Sequence, residues 1–157
     1  MRGNQEKVQK PDLPRGSKTY ETAQDINGQY FVRNDEGSDA DLDAEYCNVH
    51  FSLACNEIPG STVYVEGAFT RFNQEAFKCK WNEKNRSYDC DVKLKQGLYN
   101  YRFVVYDEYL AKADISFTEG NHVQTENDYT AIIYMWDRNG LYHRIIGQHY
   151  LNSNGKN

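Results

Sequence analysis

Residues 63–109 read VYVEGAFTRFNQEAFKCKWNEKNRSYDCDVKLKQGLYNYRFVVYDEY, and the alternation in this stretch decides the fold class. Val63, Val65, Gly67 and Phe69 share one parity, as do Phe77, Cys79 and Trp81. Tyr88, Cys90, Val92 and Leu94 repeat the pattern, and Tyr99, Tyr101, Phe103 and Val105 complete it. A side-chain period of two marks strands with one face turned to a core. Polar Asn82-Glu83-Lys84-Asn85-Arg86 separates the second run from the third, and Lys95-Gln96-Gly97 separates the third from the fourth. Glycine at such a junction accepts the positive φ of a tight connection. The stretch therefore predicts two consecutive hairpins forming a meander.

Outward from this centre the same signals continue. Tyr46 to Ala54 alternates cleanly, with Cys47, Val49, Phe51 and Leu53 on one side and Asn48, His50 and Ser52 on the other. A turn at Asp25-Ile26-Asn27-Gly28 leads into a short first strand, Gln29 to Arg33, and Pro59-Gly60-Ser61 turns the chain into Val63. Ala113 to Phe117 predicts an edge strand, followed by a tight turn at Glu119-Gly120-Asn121-His122. Tyr129 to Trp136 is apolar on both parities, which predicts a strand buried in the middle of a sheet or pressed under a tail. Asn139-Gly140 signals a hairpin, with Leu141 to Leu151 as the returning strand. The expected fold is all-β, a sandwich of about eight or nine antiparallel strands in two packed sheets. Pro11, Pro14 and Gly16 break residues 1–24 into a linker or strap, residues 25–153 form the domain, and residues 154–157 form a disordered tail.

The totals exclude several classes. A chain of 157 residues suffices for one domain with a real core. Thirteen tyrosines and a 14% aromatic share suit amphipathic sheets. A net charge of -5 without a Lys/Arg cluster argues against nucleic-acid binding. Apolar runs fall short of the roughly 20 residues that cross a bilayer. Met1-Arg2-Gly3-Asn4 opens polar sequence rather than a signal peptide, which leaves a cytosolic protein or a mature fragment of a longer exported chain.

Residue types that carry chemistry are present, but their spacing does not assemble them. His50, His122, His143 and His149 lack ligand spacing, and no nucleophile elbow, phosphate loop or dinucleotide fingerprint occurs. Residues 35–45 are acidic, yet counting from Asp39 the positions that a calcium loop reserves for glycine and glutamate hold Ala44 and His50, so a solvated loop is expected. Asn85-Arg86-Ser87 matches a glycosylation sequon by chance. The chain is read as non-catalytic, with no metal and no cofactor. Cys47 and Cys55 share a strand roughly 26 Å apart, beyond disulfide reach. Cys79 and Cys90 lie on facing arms of a predicted hairpin, where either a disulfide or two buried thiols would fit.

Gly67-Ala68-Phe69, aromatic Phe72 and the run from Gly97 to Phe103 resemble the early-set immunoglobulin-like domain of glycogen-binding modules, found beside starch-branching enzymes and in the β subunit of the AMP-activated kinase. Where those modules grip α-glucan with two tryptophans and a lysine, this chain has Phe72, Tyr109 and Arg102. The resemblance implies a carbohydrate-binding module using those three residues, with Trp81 as a further aromatic. A second resemblance runs from about Pro11 to Asn152, through Asp25 to Tyr30, the 67–69 hairpin, residues 119–130 and Tyr142 to Gly147. It is to the C-terminal part of the type IX secretion system plug protein family of Bacteroidota. That implies an exported, periplasmic or outer-membrane-associated interaction domain whose protein partner is an outer-membrane translocon component. It also implies that the signal peptide and N-terminal part are absent from this chain. The two readings, protein docking and α-glucan binding, stand as alternatives.

Overall fold

The structure, a computed structural model, describes residues 5–20, 26, 28–33, 39–70 and 74–153. Phe72, parts of the acidic loop and of the turn before Gly28, and the 154–157 tail lie outside the described residues. In chain order the elements are β1 (Gln5–Val8), β2 (Tyr30–Val32), α1 (Ala40–Asp43), β3 (Tyr46–Ala54), β4 (Ser61–Glu66), β5 (Lys80–Asn82), β6 (Ser87–Lys95), β7 (Gly97–Tyr99), β8 (Arg102–Asp107), β9 (Lys112–Asp114), α2 (Ser116–Glu119), β10 (Asp128–Asp137) and β11 (Tyr142–Asn152). Two short 3₁₀ turns, Ala68–Thr70 and Gln74–Phe77, fall between β4 and β5. The chain divides into two compact units, Met1–Asn121 and His122–Asn157.

The first unit is an all-β, immunoglobulin-like sandwich. One sheet has the order β1-β3-β6-β5, a second has β4-β8-β9, and β2 pairs with β7. Register explains the core. In the β3–β6 ladder Phe51 faces Cys90 and Leu53 faces Tyr88; in the β4–β8 ladder Val63 faces Val105 and Val65 faces Phe103. All eight are buried and form one cluster with Phe77 and Cys79. Since side chains alternate across a strand, the partners on the opposite parity turn outward. On the β3–β6 sheet these are His50 with Asp91 and Ser52 with Asp89. Burial of the large apolar members contributes roughly 1.5–3 kcal/mol each.

The predicted meander holds only in its first hairpin. β5 pairs with β6, but β6 and β8 lie in different sheets. Both edges of β6 are already taken, by β3 and β5. The chain after Gly97 instead splices onto β2, with Tyr99 facing Tyr30 and the Asn100 N–H donating to Gln29 O at 3.1 Å. Alternation reports which face a residue takes, not which strand lies beside it. The predicted edge strand appears as β9, but its second half folds into α2. There the Thr118 hydroxyl donates to Phe103 O at 2.6 Å and so satisfies an acceptor on the part of β8 that the β9 ladder does not reach.

The second unit contains the β10–β11 hairpin. Asp137 Oδ1 accepts the N–H groups of Asn139 and Gly140, and the positive φ falls on Leu141 rather than on Gly140. The expectation that residues 129–136 are buried is overturned. Ile133 is 59% exposed, Tyr134 56% and Trp136 48%. Within its own unit β10 pairs with β11, and no second layer among the described residues covers either face of the hairpin. Among the described residues no helix is long and apolar enough to cross a membrane.

Candidate functional site

Of the sequence-predicted ligand residues, Arg102 lies on the outer face of the β4–β8 pair, Tyr109 lies in the turn after β8, and Phe72 is outside the described residues. Three cross-strand pairs share the parity opposite to Val63, Val65, Phe103 and Val105: Glu66 with Arg102, Tyr64 with Val104, and Thr62 with Tyr106, of which Val104 and Thr62 are themselves buried. Arg102 is anchored, its Nε and Nη2 donating to Glu66 Oε2 at 2.8 and 2.6 Å. A charge-assisted contact of this kind fixes the plane of the guanidinium. At the other end the Thr62 hydroxyl donates to Glu108 Oε1 at 2.6 Å.

Tyr109 sits beyond that end, in the turn joining β8 to β9. Asp107 Oδ1 accepts the N–H groups of Tyr109 and Leu110 at 2.8 and 2.9 Å, an arrangement that fixes the turn. The ring is 88% exposed and lies against Gly60, where an added Cβ would come within 2.4 Å of the ring. Gly60 also has φ 72°, so both conformation and space call for glycine.

Arg102 and Tyr109 are thus not neighbours. β8 separates them, and its Arg102-to-Asp107 span is ~17 Å at the usual strand rise. The structure fills the interval with half-exposed Tyr64 and Tyr106. Arg102, Tyr64 and Tyr106 on this face, with Tyr109 in the adjoining turn, offer cationic, aromatic and hydroxyl groups. Tyr64 and Tyr106 did not emerge from the sequence reading, although their parity, opposite to buried Val63, Val65 and Val105, carried the signal. Trp81 packs against the core, close to Tyr88, and its indole N–H donates to Glu83 Oε2 at 2.7 Å. It belongs to the other sheet.

Two further clusters are internally satisfied. Burial alone would raise the Asp89 carboxyl. Hydrogen bonds from Ser52, Ser87 and Asn82 (2.7, 2.8 and 2.7 Å), with the His50 ring nearby, outweigh it and hold the group below the usual carboxylate range. Among the described residues no group of three or more His, Cys, Asp or Glu is arranged to hold a metal ion. Cys79 and Cys90 do meet in the core, but as free thiols rather than a disulfide. The Cys79 thiol hydrogen-bonds to Cys90, and that contact together with burial keeps it protonated.

A sequence model of the family described as the glycogen recognition site of AMP-activated protein kinase matches residues 53–133. The match contains all of β4 to β9 and runs into β10, so the outer-face set lies inside it. A crystal structure of a hypothetical protein from Parabacteroides merdae is similar over 94% of this chain, with 33% identity and a TM-score of 0.82. This chain spans 37% of that protein's length. No curated protein matches the sequence.

Proposed function

Because the chain belongs to the family described as the glycogen recognition site of AMP-activated protein kinase, we propose that it is a non-catalytic carbohydrate-binding module that takes α-glucan on the outer face of β4 and β8. The observation that carries this reading is the set Arg102, Tyr64 and Tyr106 on that face, with exposed Tyr109 in the turn beyond its end. Tyrosine rings offer flat apolar surface to the faces of sugar rings while their hydroxyls remain hydrogen-bonded to water or ligand. Arg102, already oriented by Glu66, presents its remaining N–H groups to sugar hydroxyls. Phe72, matched by the resemblance, is proposed as a further contact.

Titration of the purified domain with maltoheptaose, followed by heat or tryptophan fluorescence, tests the reading. Saturable binding is expected. Tyr106→Ala and Arg102→Ala should each weaken it by roughly tenfold or more, the range in which truncating a buried contact acts. No response from a folded domain across a panel of glycans would remove the proposal.

A second reading is favoured by a different observation, the apolar faces of β10–β11. Such area, unlike scattered apolar residues, marks an interaction surface. In this reading the chain is an interaction domain of the type IX plug kind, docking through the hairpin on an outer-membrane translocon component on the periplasmic side. An Ile133→Asp, Ile145→Asp double variant should then lose association with the purified translocon while keeping glycan binding. Unchanged association would remove the hairpin from the interface.

A further inference from the structure

Next to the β4–β8 face lies a cleft of about 440 Å³. One wall is the strap at residues 12–20, which precedes the family match, and the other is formed by β7, β8 and α2. The strap is pinned at two points. The Asp12 N–H donates to Ser52 O, and Asp12 O accepts from Ala54 N–H, both at 2.8 Å. Further on, the N–H groups of Arg15 and Gly16 donate to Thr118 O and Phe117 O at 2.8 and 3.2 Å. The approach at Gly16 is so close that a Cβ would lie 2.5 Å from Ser116 O. The wall is therefore in place before any ligand arrives, which removes an ordering cost from binding.

Asp12, Arg15, Arg102 and Glu119 line the cleft, with Tyr99 and Tyr101. The Tyr101 hydroxyl donates to Asp12 Oδ2 at 2.7 Å, and its ring packs edge-on against Phe51. Arg15 Nη2 stands 3.6 Å from Glu119 Oε2. Burial raises the Glu119 carboxyl above its ordinary range, with Arg15 acting in the opposite sense. The strap brings Leu13 to the cleft as well as Asp12 and Arg15, so its wall is mixed, apolar and charged. Two carboxyl groups and two guanidinium groups cancel in charge, so the cleft selects no net ion. They do supply hydrogen-bond donors and acceptors of the kind that sugar hydroxyls meet. The volume falls within the range of small-molecule sites.

Arg102 belongs both to this cleft and to the outer-face set. We propose that the cleft is an end subsite, holding the terminal one or two sugar units of a neutral glucan whose following units lie along Tyr64 and Tyr106. The inference rests on the glucan reading above, and it adds what the sheet face alone lacks, a way to tell a chain end from a chain interior.

Maltoheptaose and β-cyclodextrin, linear and cyclic heptamers of the same sugar, separate the two claims. The wild-type domain should bind the linear form roughly tenfold more tightly, since the ring has no end to offer. Arg15→Ala should erase that preference by weakening only the linear ligand, and Glu119→Gln, which keeps the shape, should reduce it. Tyr106→Ala should weaken both ligands alike. Equal affinity of the wild type for both, or a preference that survives Arg15→Ala in a domain with unchanged melting temperature, overturns the end subsite and leaves the face reading standing. Failure of the wild type to bind either sugar overturns both.

Discussion

Two antiparallel strand pairs, β4–β8 and β10–β11, are alike in local chemistry and opposite in surroundings. Both are rich in valine or isoleucine and tyrosine, and both run in ladders of at least six paired residues. In β4–β8 one face closes on a second sheet, so that Val63 and Val65 are 0% and 2% exposed while Tyr64 looks outward. In β10–β11 the unit itself brings no second layer to either face, and Ile132 and Ile133, on opposite parities, are both exposed. The ladder of hydrogen bonds is the same in kind. What differs is area removed from water, the larger source of stability. A two-stranded hairpin left to itself is marginal for that reason.

Truncation separates the regions most sharply. Leu53→Ala, in the buried cluster beneath β4–β8, should cost about 2–5 kcal/mol in urea denaturation through lost transfer energy and an unfilled cavity. Ile145→Ala in the hairpin should stay within about 0.5 kcal/mol. Comparable losses at the two sites would mean that the hairpin is covered in solution.

Adding a methyl group reverses the sign. A Cβ at Gly67 would meet Asn100 O at 2.5 Å, backbone that cannot turn aside, so Gly67→Ala should destabilise by about 1–3 kcal/mol. At Gly147 the nearest atom is the Ile133 side chain at 3.6 Å, an ordinary contact. Gly147→Ala should therefore be neutral or stabilise the strand by up to about 1 kcal/mol, since glycine is the poorer strand residue. Thermal melts of the two variants check both signs.

The smallest effect depends on pH. Asp89 has a depressed folded-state pKa, so it contributes stability above its unfolded value and loses that contribution as pH falls through the folded value. Asp89→Asn should cost roughly 1–2 kcal/mol at neutral pH. The gap to wild type should begin to close below about pH 4, where the unfolded carboxylate takes up its proton, and vanish only once pH has fallen through the lowered folded value. A deficit that persists at pH 2 would show that shape rather than charge matters at this position.

Much of the sandwich was legible from alternation. The inward parity of β3, β6 and β8 was correct at Phe51, Leu53, Cys90 and Phe103, because burial on one face leaves a period of two in the sequence. Arg102 and Tyr109 were found through resemblance, and the structure places them at opposite ends of β8. Tyr64 and Tyr106, which join them, carried the same parity signal in reverse but looked like ordinary sheet tyrosines. The cleft was not legible. Asp12, Arg15, Arg102 and Glu119 are separated by up to about a hundred residues and share no motif, and only the docking of the strap on Thr118 and Ser52 brings them together.

The sequence by itself determined the all-β class and the inward face of the long sandwich strands β3, β4, β6 and β8, because a strand's side-chain period is a local property of the backbone. Only the tertiary structure decided that β6 and β8 lie in different sheets, that Cys79 and Cys90 meet as thiols, and that the apolar strand at residues 128–137 has β11 but no second layer within its own unit. Neighbour choice depends on which edges are already paired and which faces are already closed, and those are states of the whole fold that no local pattern records.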